Sequence, residues 1–130
     1  SYVGRVLDKN NKVYVIISDA MRFEIGEELC RLIRAEDKFE AKIEHMISVL
    51  PSYTQLGMAA LLPHSELQIN ADKTPTVNLN GQSSSGTVNR DKILKSATKD
   101  SALAVKADVL IAKTKEEVRE LVRDHDVIYV

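Results

Sequence analysis

Asp19 occupies a position in the sequence at which a carboxylate could bind a metal ion. It comes directly after the apolar, mostly β-branched run at residues 13–17 and directly before a stretch with helical spacing. A carboxylate at the end of a buried strand is a good ligand for a divalent cation, because the strand fixes its position. The same position also suits a residue that caps the following helix, so position alone leaves both roles open.

Thr54 is the second side chain that is a candidate for catalysis. It follows the turn at residues 50–53 and opens a short segment rich in Ala, Leu and Met. Helix N-termini favour phosphate and alkoxide groups, and a threonine hydroxyl becomes a nucleophile when a base or a metal activates it. Gly57 would let a substrate approach the backbone closely. The alternative for Thr54 is again a helix cap.

Arg22 lies beside the same strand end as Asp19 and is a candidate for binding substrate. Its guanidinium would contact a phosphate group or orient Asp19. The alternative is a solvated pair with Glu24 on the helix surface.

The single cysteine, Cys30, cannot form an internal disulfide, and its helical spacing predicts a packed residue.

The elements that must position these side chains alternate between strands and helices. The order predicts an α/β fold, a three-layer α/β/α sandwich with a mostly parallel sheet and a small β-hairpin insertion, in one domain over residues 1–130. Thr114 and Glu117 form a capping-box pattern at the start of one helix. Residues 80–86, rich in Ser, Gly and Asn, predict a mobile surface loop. Strands are predicted at 13–17, 41–49, 67–70, 76–80, 102–105 and 127–130, with the hairpin connection at 72–75, and helices at 20–35, 55–62, 88–97 and 115–124.

The charge and hydropathy of the chain exclude some partners. Its 130 residues carry 18 basic and 19 acidic side chains, a net charge of -1, so there is no global attraction to nucleic acid or to an anionic membrane. No apolar run approaches the roughly 18 residues of a membrane span, and residues 1–11 do not resemble a signal peptide. We therefore expect a cytoplasmic protein with no membrane partner. The apolar run at 127–130 is typical of a strand with more chain after it, which predicts a partial domain.

Several segments together resemble the alkaline-phosphatase superfamily, and most closely its PglZ domain family. The matching segments are residues 15–24, 50–54, 57–63 and 126–130, in the order of the family. The Pro-Ser-x-Thr element within residues 50–54 is the most specific of them. The resemblance implies the alkaline-phosphatase type of three-layer sandwich.

The resemblance also implies a mechanism. Asp19 matches the first metal-binding aspartate of the superfamily, and Thr54 matches the hydroxyl that attacks phosphorus and contacts a metal. Two divalent cations, zinc or manganese, would act on a phosphate ester, with nucleic acid and nucleotides among the substrate classes. Members of the family are associated with bacterial phage defence of the BREX type, which implies protein partners in a defence complex.

The chain departs from the superfamily in the remaining ligands. The superfamily uses several more Asp and His residues, and none of His45, His64 and His125 matches a ligand motif. We therefore expect an incomplete metal site and a chain that is inactive by itself. One alternative is a non-catalytic module that binds proteins of a defence complex and keeps a vestigial metal site. Another is an α/β regulatory domain unrelated to phosphatases.

Overall fold

The computed structural model describes residues 12–71 and 74–130. The polar N-terminal residues 1–11 and the Asp72-Lys73 part of the predicted hairpin connection lie outside the described residues. Residues 18–48 form one compact unit, and the described residues 12–17 and 49–130 form a larger one. In chain order the elements are β1 (Val13–Val15), α1 (Phe23–Ala35), α2 (Thr54–Ala60), β2 (Leu67–Asn70), β3 (Thr76–Leu79), β4 (Gln82–Ser83), α3 (Gly86–Thr98), β5 (Ala102–Ala104), α4 (Ala107–Ile111), α5 (Lys115–Asp124) and β6 (Val127–Tyr129).

The larger unit contains a parallel sheet with the strand order β1-β6-β5. Tyr14 of β1 and Leu103 of β5 both lie opposite Ile128 of the central strand. All three residues of β6 are buried, as expected for an apolar strand in a parallel sheet. The apolar runs therefore predicted these three strands correctly, although each strand is shorter than its run.

The larger unit also contains an antiparallel sheet with the order β2-β3-β4. The predicted hairpin of β2 and β3 is confirmed, with Leu67 opposite Leu79. The predicted mobile loop at residues 80–86 is wrong in its first half, because the chain turns back at once to form β4. Asn80 and Gly81 both have positive φ angles, 49° and 77°, as a two-residue type I′ hairpin turn requires.

The helices of the larger unit follow local sequence signals. The Thr114 hydroxyl accepts a hydrogen bond from the Glu117 N–H at 3.3 Å, and the Glu117 carboxylate accepts one from the Thr114 N–H at 2.8 Å. The predicted capping box of α5 is therefore confirmed. α4 was not predicted, because five residues are too few for a helical period to be recognised. No described helix combines the length and the apolar character that a membrane crossing requires.

One hydrophobic core joins α2, α3 and both sheets of the larger unit. Leu56 of α2, Val77 of β3, Leu94 of α3 and Val127 of β6 are each at most 2% exposed. Full burial of such side chains stabilises a fold by about 1.5–3 kcal/mol each. The described part of the chain is thus a mixed α/β structure with a parallel sheet, an antiparallel sheet and five helices.

The smaller unit is built around α1. Cys30 is buried in it, which confirms the prediction of a packed helix residue. The helix begins at Phe23 and not at residue 20, because Ala20 has a left-handed φ of 57° and Arg22 is extended. The predicted strand at residues 41–49 is wrong. These residues form no strand ladder with any described residue, and the Ala41 carbonyl accepts a hydrogen bond from the Arg34 side chain at 2.8 Å instead.

Candidate functional site

Asp19 lies in the turn between β1 and α1, within the smaller unit, and it is exposed. One carboxylate oxygen, Oδ1, accepts a hydrogen bond from the Ala20 N–H at 3.0 Å. The residue that caps α1 is Arg22, with φ −77° and ψ 150°, so the alternative of Asp19 as the helix cap is wrong. The carboxylate belongs instead to the turn that follows β1 in the chain.

Arg22 forms the exposed ion pair with Glu24 that the sequence offered as an alternative. Its Nε lies 4.0 Å from Oε2 of Glu24, and both side chains are largely exposed. Such an exposed pair contributes at most about 1 kcal/mol, so it would not hold the guanidinium against a competing phosphate. The proposed contact of Arg22 with substrate stays a prediction.

Thr54 is the first residue of α2, within the larger unit. The N-cap is Tyr53, with φ −145° and ψ 151°, and the Tyr53 carbonyl accepts the first helical hydrogen bond, from the Gly57 N–H at 3.1 Å. Thr54 therefore does not cap the helix, and the capping alternative is wrong for this residue too. Its side chain is exposed on the first turn, where the N–H groups of a helix favour an anion.

The helix that carries Thr54 is anchored firmly on its other side. Leu56 and Ala59 are buried at 2% and 0% exposure in the hydrophobic core. Gln55 accepts a hydrogen bond from the Arg90 guanidinium of α3 at 3.2 Å, and burial lowers the pKa of Arg90. A Cβ atom added at Gly57 would meet no atom within 4 Å. The space beside this turn of the helix is therefore open, as an approaching substrate would require.

The four predicted site residues are divided between the two units. Asp19 and Arg22 lie in the smaller unit, and Thr54 and Gly57 lie in the larger one. Among the described residues, no group of three or more His, Cys, Asp or Glu side chains could hold a metal ion.

Two of the described histidines, His125 and His64, contact nearby backbone carbonyl groups. His125 ends α5, and its Nδ1 lies 2.9 Å from the Leu121 carbonyl oxygen, to which it donates when protonated there. The Nδ1 of His64 makes the same kind of contact with the Leu62 carbonyl oxygen at 2.7 Å. Both rings are thus held by nearby backbone. Sequence reasoning missed Arg90, because nothing in its local context indicates a hydrogen bond to a residue 35 positions away.

Comparison with known proteins places the chain in a family. The protein-family model described as the BREX system PglZ alkaline phosphatase-like domain matches this chain over residues 1–130. The alkaline phosphatase-like protein BrxZ of Escherichia coli O9:H4 (strain HS) is 45% identical over 119 residues, which are 92% of this chain and 13% of that protein. The alkaline phosphatase-like protein PglZ of Bacillus cereus (strain H3081.97) is 38% identical over 130 residues, 100% of this chain and 15% of that protein.

The match is strong in sequence but short relative to those proteins. The chain spans only 13% and 15% of the length of the two curated relatives. No solved structure matches it significantly. Because the family model covers every residue of the chain, the chain belongs to the PglZ family of alkaline-phosphatase-like domains of BREX systems.

Proposed function

We propose that this chain supplies the first part of a metal-dependent phosphohydrolase site in a cytoplasmic phage-defence protein, with Thr54 as the nucleophile. The observation that carries the proposal is the position of Thr54. Its side chain is exposed on the first turn of α2, while Leu56 and Ala59 fix the same helix in the core. A hydroxyl held on a rigid element beside open space is arranged for attack on a bound substrate.

The donor chemistry of the chain suits a divalent cation. Asp19 offers carboxylate oxygens and Thr54 a hydroxyl oxygen, which are ligands that manganese and zinc accept in proteins. Two such ions, when bound, would make the threonine hydroxyl more acidic and neutralise charge on the phosphoryl group. The assignment of Asp19 to the centre rests on the family resemblance. The further ligands, and the complete three-layer sandwich, would come from the rest of the longer protein.

The reaction that Thr54 would perform is a displacement at phosphorus. The Thr54 oxygen forms a bond to phosphorus, its proton passes to solvent, and the bond from phosphorus to the leaving alkoxide breaks. The alkoxide takes a proton from solvent and departs as an alcohol. Water then attacks the phosphothreonine and restores the hydroxyl, which releases phosphate from a monoester substrate or a phosphate monoester from a diester substrate. The Arg22 guanidinium would bind the non-bridging oxygens, and Gly57 would leave room for them.

Turnover by the full-length protein tests the proposal. The substrates are an aryl phosphate and a bis-aryl phosphodiester, with zinc or manganese added. Thr54→Ala should lower kcat by roughly 10³-fold or more, as loss of a nucleophile does in other hydrolases. Thr54→Ser keeps a hydroxyl and should retain measurable turnover.

Matched controls separate these roles from general effects on the fold. Asp19→Asn should reduce turnover and raise the metal concentration needed for it, whereas Asp37→Asn changes an exposed acid of the same unit and should do neither. Thr76→Ala is the control for Thr54→Ala, because Thr76 is also exposed and lies in the larger unit. Turnover that persists in both Thr54→Ala and Asp19→Ala would refute the assigned roles.

A second function, a protein-interaction module with a vestigial metal site, is favoured by the surface of α1. Ile25, Leu29 and Leu32 share one side of this helix, and each is about half exposed, at 56%, 49% and 50%. An exposed patch of neighbouring apolar side chains marks a surface that binds another protein. Leu29→Glu with Leu32→Glu should then abolish copurification of a defence-complex protein. Under this hypothesis, Thr54→Ala leaves defence against phage unchanged.

A further inference from the structure

A polar groove of about 770 Å³ lies along α3, within the larger unit. One wall carries Lys92, Lys95 and Lys99, and the other is the short edge strand β4 with Gln82 and Ser83. None of the residues assigned above to the phosphohydrolase site lines it. The groove is therefore a separate surface that needs its own explanation.

The three lysines lie on one side of the helix. Their spacing of three and four residues places them on neighbouring turns, and from Lys92 to Lys99 the helix rises about 10 Å. Lys99 ends the helix in the left-handed conformation, with φ 52° and ψ 48°. Cations are favoured in the last turn of a helix, but Lys92 lies before that turn. The helix dipole alone therefore does not account for the row.

The groove is positively charged although the whole chain is not. The Lys95 ammonium lies 2.7 Å from Oδ2 of Asp91, so its charge is largely compensated. Lys92 and Lys99 form no ion pair with any residue in ranges 12–71 and 74–130. Asp100 is the one carboxylate among the described lining residues. Two exposed cations thus face a groove on a chain whose net charge is -1.

We propose that this groove binds the phosphate backbone of nucleic acid without regard to sequence. Lysine, serine, asparagine and glutamine side chains are among the groups that contact phosphate in protein–DNA complexes, and apart from Asp100 they are the types that line the groove. Each strand of a duplex carries one phosphate charge per roughly 3.4 Å of helix axis, so a cation row of about 10 Å faces more than one phosphate. None of the described lining residues is aromatic, so no platform for stacking bases is present.

The proposal goes beyond the phosphohydrolase function and stands without it. It requires only that the groove holds an anionic backbone, whether or not Thr54 attacks phosphorus. Failure of one can therefore be told from failure of the other. Thr54→Ala should remove turnover and leave nucleic-acid binding unchanged.

Fluorescence anisotropy with the full-length protein tests the groove. The probes are fluorescein-labelled single-stranded and double-stranded DNA 20-mers, each in two unrelated sequences. Lys92→Gln with Lys99→Gln should weaken binding roughly five- to tenfold for both sequences, because each lysine contacts phosphate. The slope of log K against log salt should fall in magnitude by roughly 1.4–1.8, the value for two lost phosphate contacts. Lys95 is left unchanged, because its substitution would also leave the Asp91 carboxylate without its ion pair.

Two controls keep the test decisive. Lys106→Gln with Lys115→Gln removes the same charge from exposed positions outside the groove, and it should leave affinity and salt slope unchanged. Lys92→Arg with Lys99→Arg keeps the charge and should keep binding, and an unchanged urea midpoint of the glutamine variant shows that it did not merely unfold. Equal weakening by the two glutamine pairs would overturn the proposal, as would no weakening by the groove pair. Binding of a poly-glutamate peptide with similar affinity and the same dependence on Lys92 and Lys99 would overturn it as well.

Discussion

The Arg90 guanidinium donates a hydrogen bond to the side-chain carbonyl of Gln55 at 3.2 Å, and so joins α3 to the first turn of the helix that begins at Thr54. The same side chain donates from Nε to the Ser84 carbonyl at 3.1 Å. Ser84 is 1% exposed, and its hydroxyl donates to the Val77 carbonyl at 2.7 Å. One partly buried arginine therefore links the candidate nucleophile's helix to the segment that leaves the antiparallel sheet.

Arg90→Met tests how much this link stabilises the fold. Methionine keeps an apolar stem of similar length but leaves the Ser84 carbonyl without its donor. We expect a loss of about 1–3 kcal/mol in the free energy of unfolding, measured by urea denaturation. Gln55→Ala removes only an exposed acceptor and should change stability by less than about 0.5 kcal/mol. A larger loss for Gln55→Ala than for Arg90→Met would show that the bond to Ser84 is unimportant.

Gly57→Ala should separate stability from activity. Alanine is favoured over glycine in a helix by about 1 kcal/mol, and the added Cβ meets no atom within 4 Å. We therefore expect a higher urea midpoint. If substrate approaches the backbone here, the same methyl group should lower kcat/KM of the full-length protein. Unchanged kcat/KM in a stabilised variant would remove Gly57 from the substrate-binding residues.

Local signals in the sequence predicted much of the larger unit. The apolar runs at β1 and β6 and the Thr114–Glu117 pair each specify an element from a few adjacent residues, and the structure confirms them. The strand predicted at residues 41–49 failed for a different reason. Its mixture of apolar and polar residues is compatible with a strand, but a strand forms only where a partner offers backbone hydrogen bonds. Partners are not visible in a local pattern.

In the candidate site, too, local sequence patterns predicted the positions of residues but not their long-range contacts. The places of Asp19 after β1 and of Thr54 at the start of α2 follow from local patterns, and the structure agrees with both places. The roles of these residues stay predictions. The bond between Arg90 and Gln55 joins residues 35 apart, and the lysine groove depends on β4 lying beside α3. Only the Asn80-Gly81 turn signal could have revealed β4, because that dipeptide favours a tight hairpin.

The capping box of α5 predicts a dependence of stability on acid pH. Hydrogen bonds from the Thr114 backbone and hydroxyl hold the pKa of the Glu117 carboxyl below its usual value, with a smaller effect from Lys113. Because the pKa is lowered in the folded state, the stabilisation is complete above about pH 4.5, the ordinary glutamate value, and it is lost as pH falls through the folded pKa. Glu117→Gln should flatten the fall of the urea midpoint below pH 4.5.

Two further variants check this assignment. Thr114→Ala should cost about 0.5–2 kcal/mol at neutral pH, because the N3 amide loses its cap. Glu116→Gln changes a neighbouring exposed glutamate that pairs with Arg119 at 3.5 Å, and it should preserve the acid profile of the parent chain. An acid profile that is the same for Glu117→Gln and the parent chain would contradict the role of the box.

The burial of Tyr129 predicts that the stability of the fold also depends on pH in the alkaline range. Burial in the central strand β6 raises the pKa of its hydroxyl to about 12, and Oη lies 3.4 Å from the Leu61 carbonyl oxygen. The folded state favours the neutral phenol, so this contribution is complete below about pH 10, the ordinary tyrosine value, and it is lost as pH rises towards 12. Tyr129→Phe should therefore reduce the loss of stability above pH 10, measured by thermal unfolding. Tyr14→Phe, at a half-exposed position of the neighbouring strand, should leave the alkaline profile unchanged, and equal effects of the two variants would show that burial of Tyr129 is not the cause.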